Sequence, residues 1–452
     1  MKTIENATAP NRDIFTIPRA DGSFILYAPL SRKAGVINAS GANTIARFLA
    51  GEPLSSGEKS FIDDLYKNKF LNDPEPARPV FPGNYEFLPH EVTLFATDQC
   101  NLRCRYCYAD AGKNNRKMHI ETAKAAIDLV ANNAGLAGLS QFALGFHGGG
   151  EPTLAWDLVS GAVDYAREVA DKKGLDVEIF AATNGMFNKQ QREFILKKFT
   201  NLNISIDGPA DIQDYNRPKV DGSGSLATIK DNLQFLDEHK FPYGIRATIT
   251  RKDVHRMAEI VRWFKSEFNI TFLHLEPVWL CGRCLTTGEE APADDDFIKY
   301  YAQAIEAADQ IGLNLVYSGL RLDSLLSKFC AAAGDGFNVL PDGVVTSCYE
   351  ITDGANPKAE LFHYGRYDFG RKEFVFDAEK IKRLQRYSVE NIPWCQDCFC
   401  KWHCAGDCLS KAFDISKSFQ HEGSPRCVLN RRLTIMQLEK MIAGGANHPQ
   451  TQ

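Results

Sequence analysis

Cys100, Cys104 and Cys107, spaced Cys-x3-Cys-x2-Cys, are the residues of this chain best suited to chemistry. Three thiolates on one short loop can hold three irons of a [4Fe–4S] cube and leave the fourth iron open to a ligand. A structural zinc site would want a closed set of four, and the nearby His119 is badly placed to complete one. Seven further cysteines make a second pattern: Cys330-x12-Gly343-x4-Cys348, then Cys395-x2-Cys398-x5-Cys404-x3-Cys408, then Cys427. Cys395 to Cys408 read alone also suits tetrahedral zinc. A turn at Pro341-Asp342-Gly343 would bring Cys330 and Cys348 together.

The elements that must position these residues follow a strand–helix rhythm from Glu91 onward. Expected strands are Glu91–Thr97, Gln141–Phe146, Val177–Ala182, Asn203–Ile206, Tyr243–Ile249 and Thr271–Glu276. Between them, helical periodicity marks Glu121–Asn133, Trp156–Lys172, Ser225–His239 and Asp253–Phe268. Six such units with right-handed crossovers give an α/β fold, an incomplete (β/α)6 barrel. Four strands end in polar or small-residue motifs: Thr97-Asp98-Gln99-Cys100, His147-Gly148-Gly149-Gly150-Glu151-Pro152, Thr183-Asn184-Gly185 and Ser205-Ile206-Asp207-Gly208-Pro209. In parallel α/β folds the C-terminal strand ends form the active face, so these motifs would converge on one site.

The motif Cys-x3-Cys-x-aromatic-Cys after a first strand resembles the radical S-adenosylmethionine superfamily, over Glu91 to about Pro277. The resemblance implies that the open iron chelates S-adenosylmethionine and that an electron cleaves it to a 5′-deoxyadenosyl radical, which takes a hydrogen atom from substrate. It places Tyr106 against the adenine, and Gly149, Gly150 and Glu151 at the methionine amino group. Thr183, Asn184 and Ser205 fall where the family contacts ribose or the methionine carboxylate. Arg217 or Arg246 would be that carboxylate's cationic partner.

The seven later cysteines resemble the SPASM extension of the same superfamily, which holds two auxiliary [4Fe–4S] clusters. By that resemblance Cys395, Cys398, Cys404 and Cys427 would bind one cluster completely, and Cys330, Cys348 and Cys408 would give three ligands to the other. Its fourth iron would be open, or closed by Cys400, Cys281 or Cys284; the last two also read as ordinary loop thiols. Residues 1–85 look separate: a strand Ser23–Ala28, helices Ala39–Leu49 and Ser56–Asn68, and a Pro-rich linker Asn72–Gly83. They resemble the leader-peptide-recognition domains of ribosomal-peptide maturases, and read equally as a stabilising cap. The expected division is 1–85, a barrel over 86–316, a SPASM domain over 317–435 with the helix Val428–Ile442, and a tail over 436–452.

At 452 residues and 44% hydrophobic content the chain can bury a sizeable core. The net charge of -5 and the absence of Lys/Arg runs argue against nucleic acid. Neither a signal peptide at Met1–Asp13 nor an apolar run of about 18 residues is present, so the expectation is no membrane and a cytoplasmic setting, where thirteen cysteines mean metal more than disulfides. The implied function is modification of a precursor peptide or protein, by a thioether or carbon–carbon crosslink or a related oxidation, with flavodoxin or ferredoxin as electron donor. Three alternatives stand beside it: an anaerobic sulfatase-maturating enzyme, a small-molecule radical dehydrogenase, and a zinc-stabilised binding protein without catalysis. Against the first, Tyr317-Ser318-Gly319-Leu320 offers no aspartate as proton acceptor, although Asp323 is close.

Overall fold

A computed structural model describes residues 13–74, 76–79, 85–418 and 422–444. Residues 1–12 and part of the Pro-rich stretch 72–83 lie outside them. The described residues form two compact units. One takes the chain up to residue 79 together with 319–329 and 388–444; the other takes 85–318 and 330–387. This differs from the sequential division into four segments: the N-terminal segment and the cysteines from Cys395 onward share a unit, and a helix, Cys427–Ala443, runs through the 435/436 boundary.

In the first unit, strands β1 (Phe15–Pro18), β2 (Phe24–Ala28) and β3 (Lys33–Ile37) make an antiparallel sheet in that order. The helix Ala39–Leu49 starts where the Asn38 side chain accepts from the Gly41 N–H. The helix Ser56–Lys67 starts at a reciprocal cap between Ser55 and Glu58. Strand β2 is apolar throughout because both its faces are covered. Leu26 and Ala28 pack with Ile45, Ile62 and Leu65, while Ile25 and Tyr27 pack with Leu438 of the helix Cys427–Ala443. The buried Tyr27 hydroxyl is hydrogen-bonded to His403 Nε2, and His403 Nδ1 lies 3.0 Å from the Ser324 carbonyl.

In the second unit, the expected parallel strands are β4 (Glu91–Leu94), β5 (Gln141–Phe146), β6 (Asp176–Thr183), β7 (Asn201–Ser205), β8 (Tyr243–Ile249) and β9 (Phe272–Pro277), each beside the next. A further parallel strand, β10 (Asn314–Val316), follows β9. On the other side of β4 come β11 (Asn338–Val339), β12 (Val344–Thr346), β13 (His363–Asp368) and β14 (Glu373–Phe376), paired antiparallel from β11 onward. β11 and β12 form the hairpin expected at Pro341-Asp342-Gly343, with Gly343 at φ +83° and its N–H donating to the Leu340 carbonyl at 2.9 Å. Helices Ile120–Leu136, Trp156–Lys173, Leu226–Glu238 and Met257–Glu267 alternate with the parallel strands. Their buried faces, such as Ala123, Ala126, Ile127 and Val130, carry small and branched side chains that permit close packing on a sheet. The fold is thus α/β, as the strand–helix rhythm implied, and every parallel strand delivers its C-terminal end to the same edge.

Candidate functional site

The loop after β4 carries Cys100, Cys104 and Cys107, all partly exposed. It is irregular, and its shape comes from neighbours: the N–H of Arg103 donates to Pro218 O at 2.7 Å and that of Arg105 to Asn216 O at 2.9 Å. The glycine turn after β5 locks against it. Glu151 N donates to Gln99 O at 2.7 Å, and a Cβ on Gly150 would stand 2.1 Å from that same oxygen. Only glycine permits this approach. Gly149 is buried beside Asp98, whose carboxylate is held by Arg116 at 2.5 Å.

Glu151 is 2% exposed, and its carboxylate accepts from Thr183 Oγ1 at 2.7 Å, from Asn184 N at 2.8 Å and from both Thr153 N and Oγ1. Burial raises its pKa, and these four donors oppose the rise. Glu151 therefore ties the ends of β5 and β6 together. Asn184 Nδ2 lies 3.9 Å from Cys100 Sγ and donates to Asn101 Oδ1 at 2.8 Å. Tyr106, 8% exposed, donates its hydroxyl to Asp207. Arg217 lies over the Tyr106 ring and is itself paired with Asp207 at 3.0 Å. Arg246 is exposed on β8 with no ion pair among the described residues. It stands in register between Ser205 on β7 and His274 on β9, so the three share one face of the sheet. Of the two arginines expected to meet a carboxylate, Arg217 is engaged and Arg246 is available.

The donor set fits an iron–sulfur cube. Burial, then the neighbouring Cys104, pushes the Cys100 thiol up to about 12; burial pushes Cys104 up to about 11. Crowded thiols of this kind ionise readily only against a positive core. Backbone N–H groups of Leu102 and Ala111 already point at Cys100 Sγ and Cys107 Sγ, each at 3.5 Å, ready to support thiolates. Among the described residues no group of three His, Cys, Asp or Glu side chains is gathered as for a metal ion. A cube spreads its thiolates over separate corners, unlike a single ion.

Beside the loop, His147 stacks on Tyr349 (4.5 Å, 8°), which in turn stacks on Phe95. Tyr108, the residue after Cys107, donates to the Gly148 carbonyl at 2.6 Å. Burial and then the charge of Arg246 lower the His147 pKa to about 4. The unfolded chain consequently binds a proton here that the folded chain refuses. The stabilising contribution is whole above about pH 6.5 and is lost as pH falls toward 4. The urea midpoint of the wild type is expected to drop between pH 6.5 and 4.5 more steeply than that of His147→Gln; equal slopes would refute this.

Of the later cysteines, Cys330 and Cys348 lie in the second unit and Cys395, Cys398, Cys404, Cys408 and Cys427 in the first. Cys427 Sγ accepts from Ser424 N at 3.1 Å, and Asn430 Nδ2 lies 3.5 Å from Cys404 Sγ. Cys400 is 1% exposed; hydrogen bonding from it lowers the Cys398 pKa, with Arg431 assisting. Between Cys404 and Cys408 the residues Ala405, Gly406 and Asp407 all have positive φ (49°, 78° and 63°). Asp407, fully buried, is paired with Arg426 and hydrogen-bonded by Ser424. Burial alone would raise the Asp407 pKa, yet the Arg426 charge and these hydrogen bonds bring it below the usual range. Cys284 is buried with Tyr106 and Val278, and Cys281 is partly exposed. Sequence reasoning missed Asp207, whose strand-end motif was visible but not its partners, and Asp407, which nothing marks except its place between two cysteines.

Residues 94–264 match the Radical SAM superfamily, so the chain carries a radical SAM domain. Among its relatives, a cysteine-type anaerobic sulfatase-maturating enzyme of Clostridium novyi is 26% identical over 40% of this chain and 49% of its own. The sporulation killing factor maturation protein SkfB of Bacillus subtilis is 26% identical over 58% of this chain and 60% of its own. The chain spans about half the length of the first curated relatives it matches. Solved structures agree in fold: anSMEcpe with bound AdoMet (TM-score 0.63, 18% identity, 80% of this chain and 96% of that one), and Streptococcus suis SuiB bound to precursor peptide SuiA (TM-score 0.56, 13% identity, 93% and 99%). Among the described residues no helix is long and apolar enough to cross a membrane.

Proposed function

We propose, on the premise of a radical SAM domain over residues 94–264, that this protein modifies a precursor peptide or protein by radical chemistry. The observation that carries the reading is the three-cysteine loop at the end of β4, locked to Gly150 and Glu151 at the end of β5. Cys100, Cys104 and Cys107 would hold the [4Fe–4S] cluster, with S-adenosylmethionine on its open iron. Bound there, the pair supplies hydrogen-atom abstraction from an unactivated position. The chain's own residues hold the cofactor. Tyr106, fixed by Asp207 and Arg217, offers a ring for adenine. Gly149 and Gly150, in a turn held close against Asp98 and Gln99, would meet the methionine amino group, and Arg246 its carboxylate. Thr183, Asn184 and Ser205 stand at the strand ends where ribose hydroxyls would lie.

SkfB's name as a maturation protein and the precursor peptide bound to SuiB support a precursor peptide as substrate, and a thioether or carbon–carbon crosslink is the product we propose. The three-stranded sheet with two helices in the first unit suits capture of an extended leader by strand addition. Cys395, Cys398, Cys404 and Cys427 would hold one auxiliary cluster within the first unit, and Cys330 and Cys348 of the second unit would serve another. A flavodoxin or ferredoxin would supply electrons. The sulfatase-maturating relatives favour a second reading, oxidation of a Cys or Ser to formylglycine.

Anaerobic reconstitution is expected to bind about a dozen irons per chain, three cubes of four, and to release 5′-deoxyadenosine on reduction. A co-expressed peptide losing two hydrogens supports the crosslink, and formylglycine in a sulfatase peptide supports the second reading. Zinc with no 5′-deoxyadenosine would sink both. Arg246→Gln is expected to weaken S-adenosylmethionine binding about tenfold or more at unchanged iron content, as loss of a charged hydrogen bond implies; unchanged binding removes Arg246 from the site.

A further inference from the structure

The cysteine loop has no helix or strand of its own between Cys100 and Gly112, yet its three thiols must be presented together. The segment after β9 grips it. The Arg283 N–H donates to the Cys107 carbonyl at 2.9 Å. Its guanidinium donates through Nη1 to the Cys104 carbonyl at 3.0 Å, through Nε to Asp110 Oδ1 at 2.8 Å and through Nη2 to the Ala111 carbonyl at 2.5 Å. Gly282, at φ +56°, lets the strap lie flat: a Cβ there would stand 2.3 Å from the Cys107 carbonyl and 2.4 Å from that of Tyr108. A second foothold lies one turn on. Thr287 Oγ1 donates to the Arg105 carbonyl at 2.7 Å, and Arg105 pairs with the buried Glu289 at 2.5 Å.

We propose that Arg283 is a positioning residue that holds the three-cysteine loop in its iron-accepting shape before any iron arrives, with Gly282 and Thr287 completing a brace. This rests on the reading of Cys100, Cys104 and Cys107 as ligands. The pair Cys281 and Cys284 thereby flanks a brace, with the arginine between them as its working part. Arginine is required because three donors of one rigid fork meet acceptors that lie in different directions, two ligand-loop carbonyls among them. A lysine supplies the charge but not the fork. The grip also explains how Asp110, a non-glycine residue, keeps a left-handed conformation at φ +46°: its carboxylate is held at 2.8 Å by Arg283. Such a conformation persists only where its surroundings dictate it. Without the brace the loop would relax, and the thiols would be recruited one at a time.

Hydrogen exchange of the iron-free full chain, followed by mass spectrometry, tests the brace without any cofactor. In both Arg283→Gln and Arg283→Lys, the peptide covering residues 100–112 is expected to exchange about tenfold faster or more, while peptides from β5 to β8 stay at the wild-type rate. On anaerobic loading both variants are expected to take up iron more slowly and to retain up to about four fewer irons per chain. Unchanged exchange in that peptide overturns the proposal. So does full rescue by lysine, which would mean that charge alone suffices. Should Arg283→Gln fail to fold, Thr287→Val removes one hydroxyl of the second foothold. It is expected to speed exchange of the same peptide about threefold, roughly the loss of one neutral hydrogen bond, and no change there also overturns the brace. If the wild type loads no iron while the exchange pattern is as expected, the ligand reading fails and the brace stands.

Discussion

Gly150→Ala, which leaves every cysteine in place, is expected to abolish 5′-deoxyadenosine release as completely as replacing Cys100, Cys104 and Cys107 together by alanine. The reason is steric. The new methyl would lie 2.1 Å from Gln99 O and 2.6 Å from the carbonyl carbon of Asp98, both backbone atoms that cannot rotate away. Either the turn after β5 or the loop after β4 must move, and the hydrogen bond from Glu151 N to Gln99 O at 2.7 Å breaks with it. Glu151 also ties β6 through Thr183 and Asn184, so displacement carries the end of the next strand along. An ångström-scale misplacement at such a site is costly even when no reacting group is altered. The two variants separate by iron. The triple alanine variant is expected to lose about four irons per chain, whereas Gly150→Ala keeps its thiols and loses chiefly S-adenosylmethionine binding, measured by equilibrium dialysis. Wild-type turnover by Gly150→Ala would show that the close approach is dispensable.

Asp407→Ala is expected to be the most destabilising single substitution in the first unit, by about 3–5 kcal/mol, the usual cost of stranding one member of a buried ion pair. Asp407 is 0% exposed and Arg426 5% exposed, and the substitution removes the carboxylate that Arg426 meets through both Nε and Nη2. A second effect adds to the first. Asp407 sits in a run of three positive-φ residues whose left-handed path spans the interval from Cys404 to Cys408, and its contacts to Arg426 and Ser424 hold that path in place. Thermal denaturation of the iron-free chain should show the loss, and iron bound by the later cysteines should fall as well. The double variant Asp407→Ala/Arg426→Met is expected to recover part of the stability, because it also removes the buried charge that Asp407 had balanced. A loss under about 1 kcal/mol would mean that the pair is open to water.

The sheet was legible where sequence pattern and burial coincide. Gln141–Phe146 and Tyr243–Ile249 begin and end where apolar content and turn residues placed them, and the helix Ala39–Leu49 does so as well. Asp253–Phe268 was expected as one helix, but it opens with a 3-10 turn, Val254–Arg256, before Met257–Glu267. β1, β3, β10, β13 and β14 were not foreseen. They run three to six residues, too short for a periodic pattern to stand out. The Phe24–Ala28 run was readable as a strand, but the second layer over it comes from Leu438, more than 400 positions away. The site was legible as motifs and not as contacts. Glycines before Glu151 announce a close approach, but nothing in the sequence says that the approach is to Gln99 O. Arg217 and Arg246 looked equivalent until Asp207 was seen to engage one of them. Arg283 carries no signal in the sequence beyond its place between two cysteines.

The threading of the first unit has a bearing on the order of manufacture. Its sheet is translated near the start, but the covering residue Leu438 and the buried histidine that meets Tyr27 emerge only after the whole second unit has left the ribosome. One side of β2 therefore stays uncovered until the segment carrying Leu438 has been made. The cysteines from Cys395 onward emerge well after the loop that follows β4, so that loop is the first of the cysteine clusters open to iron as the chain grows.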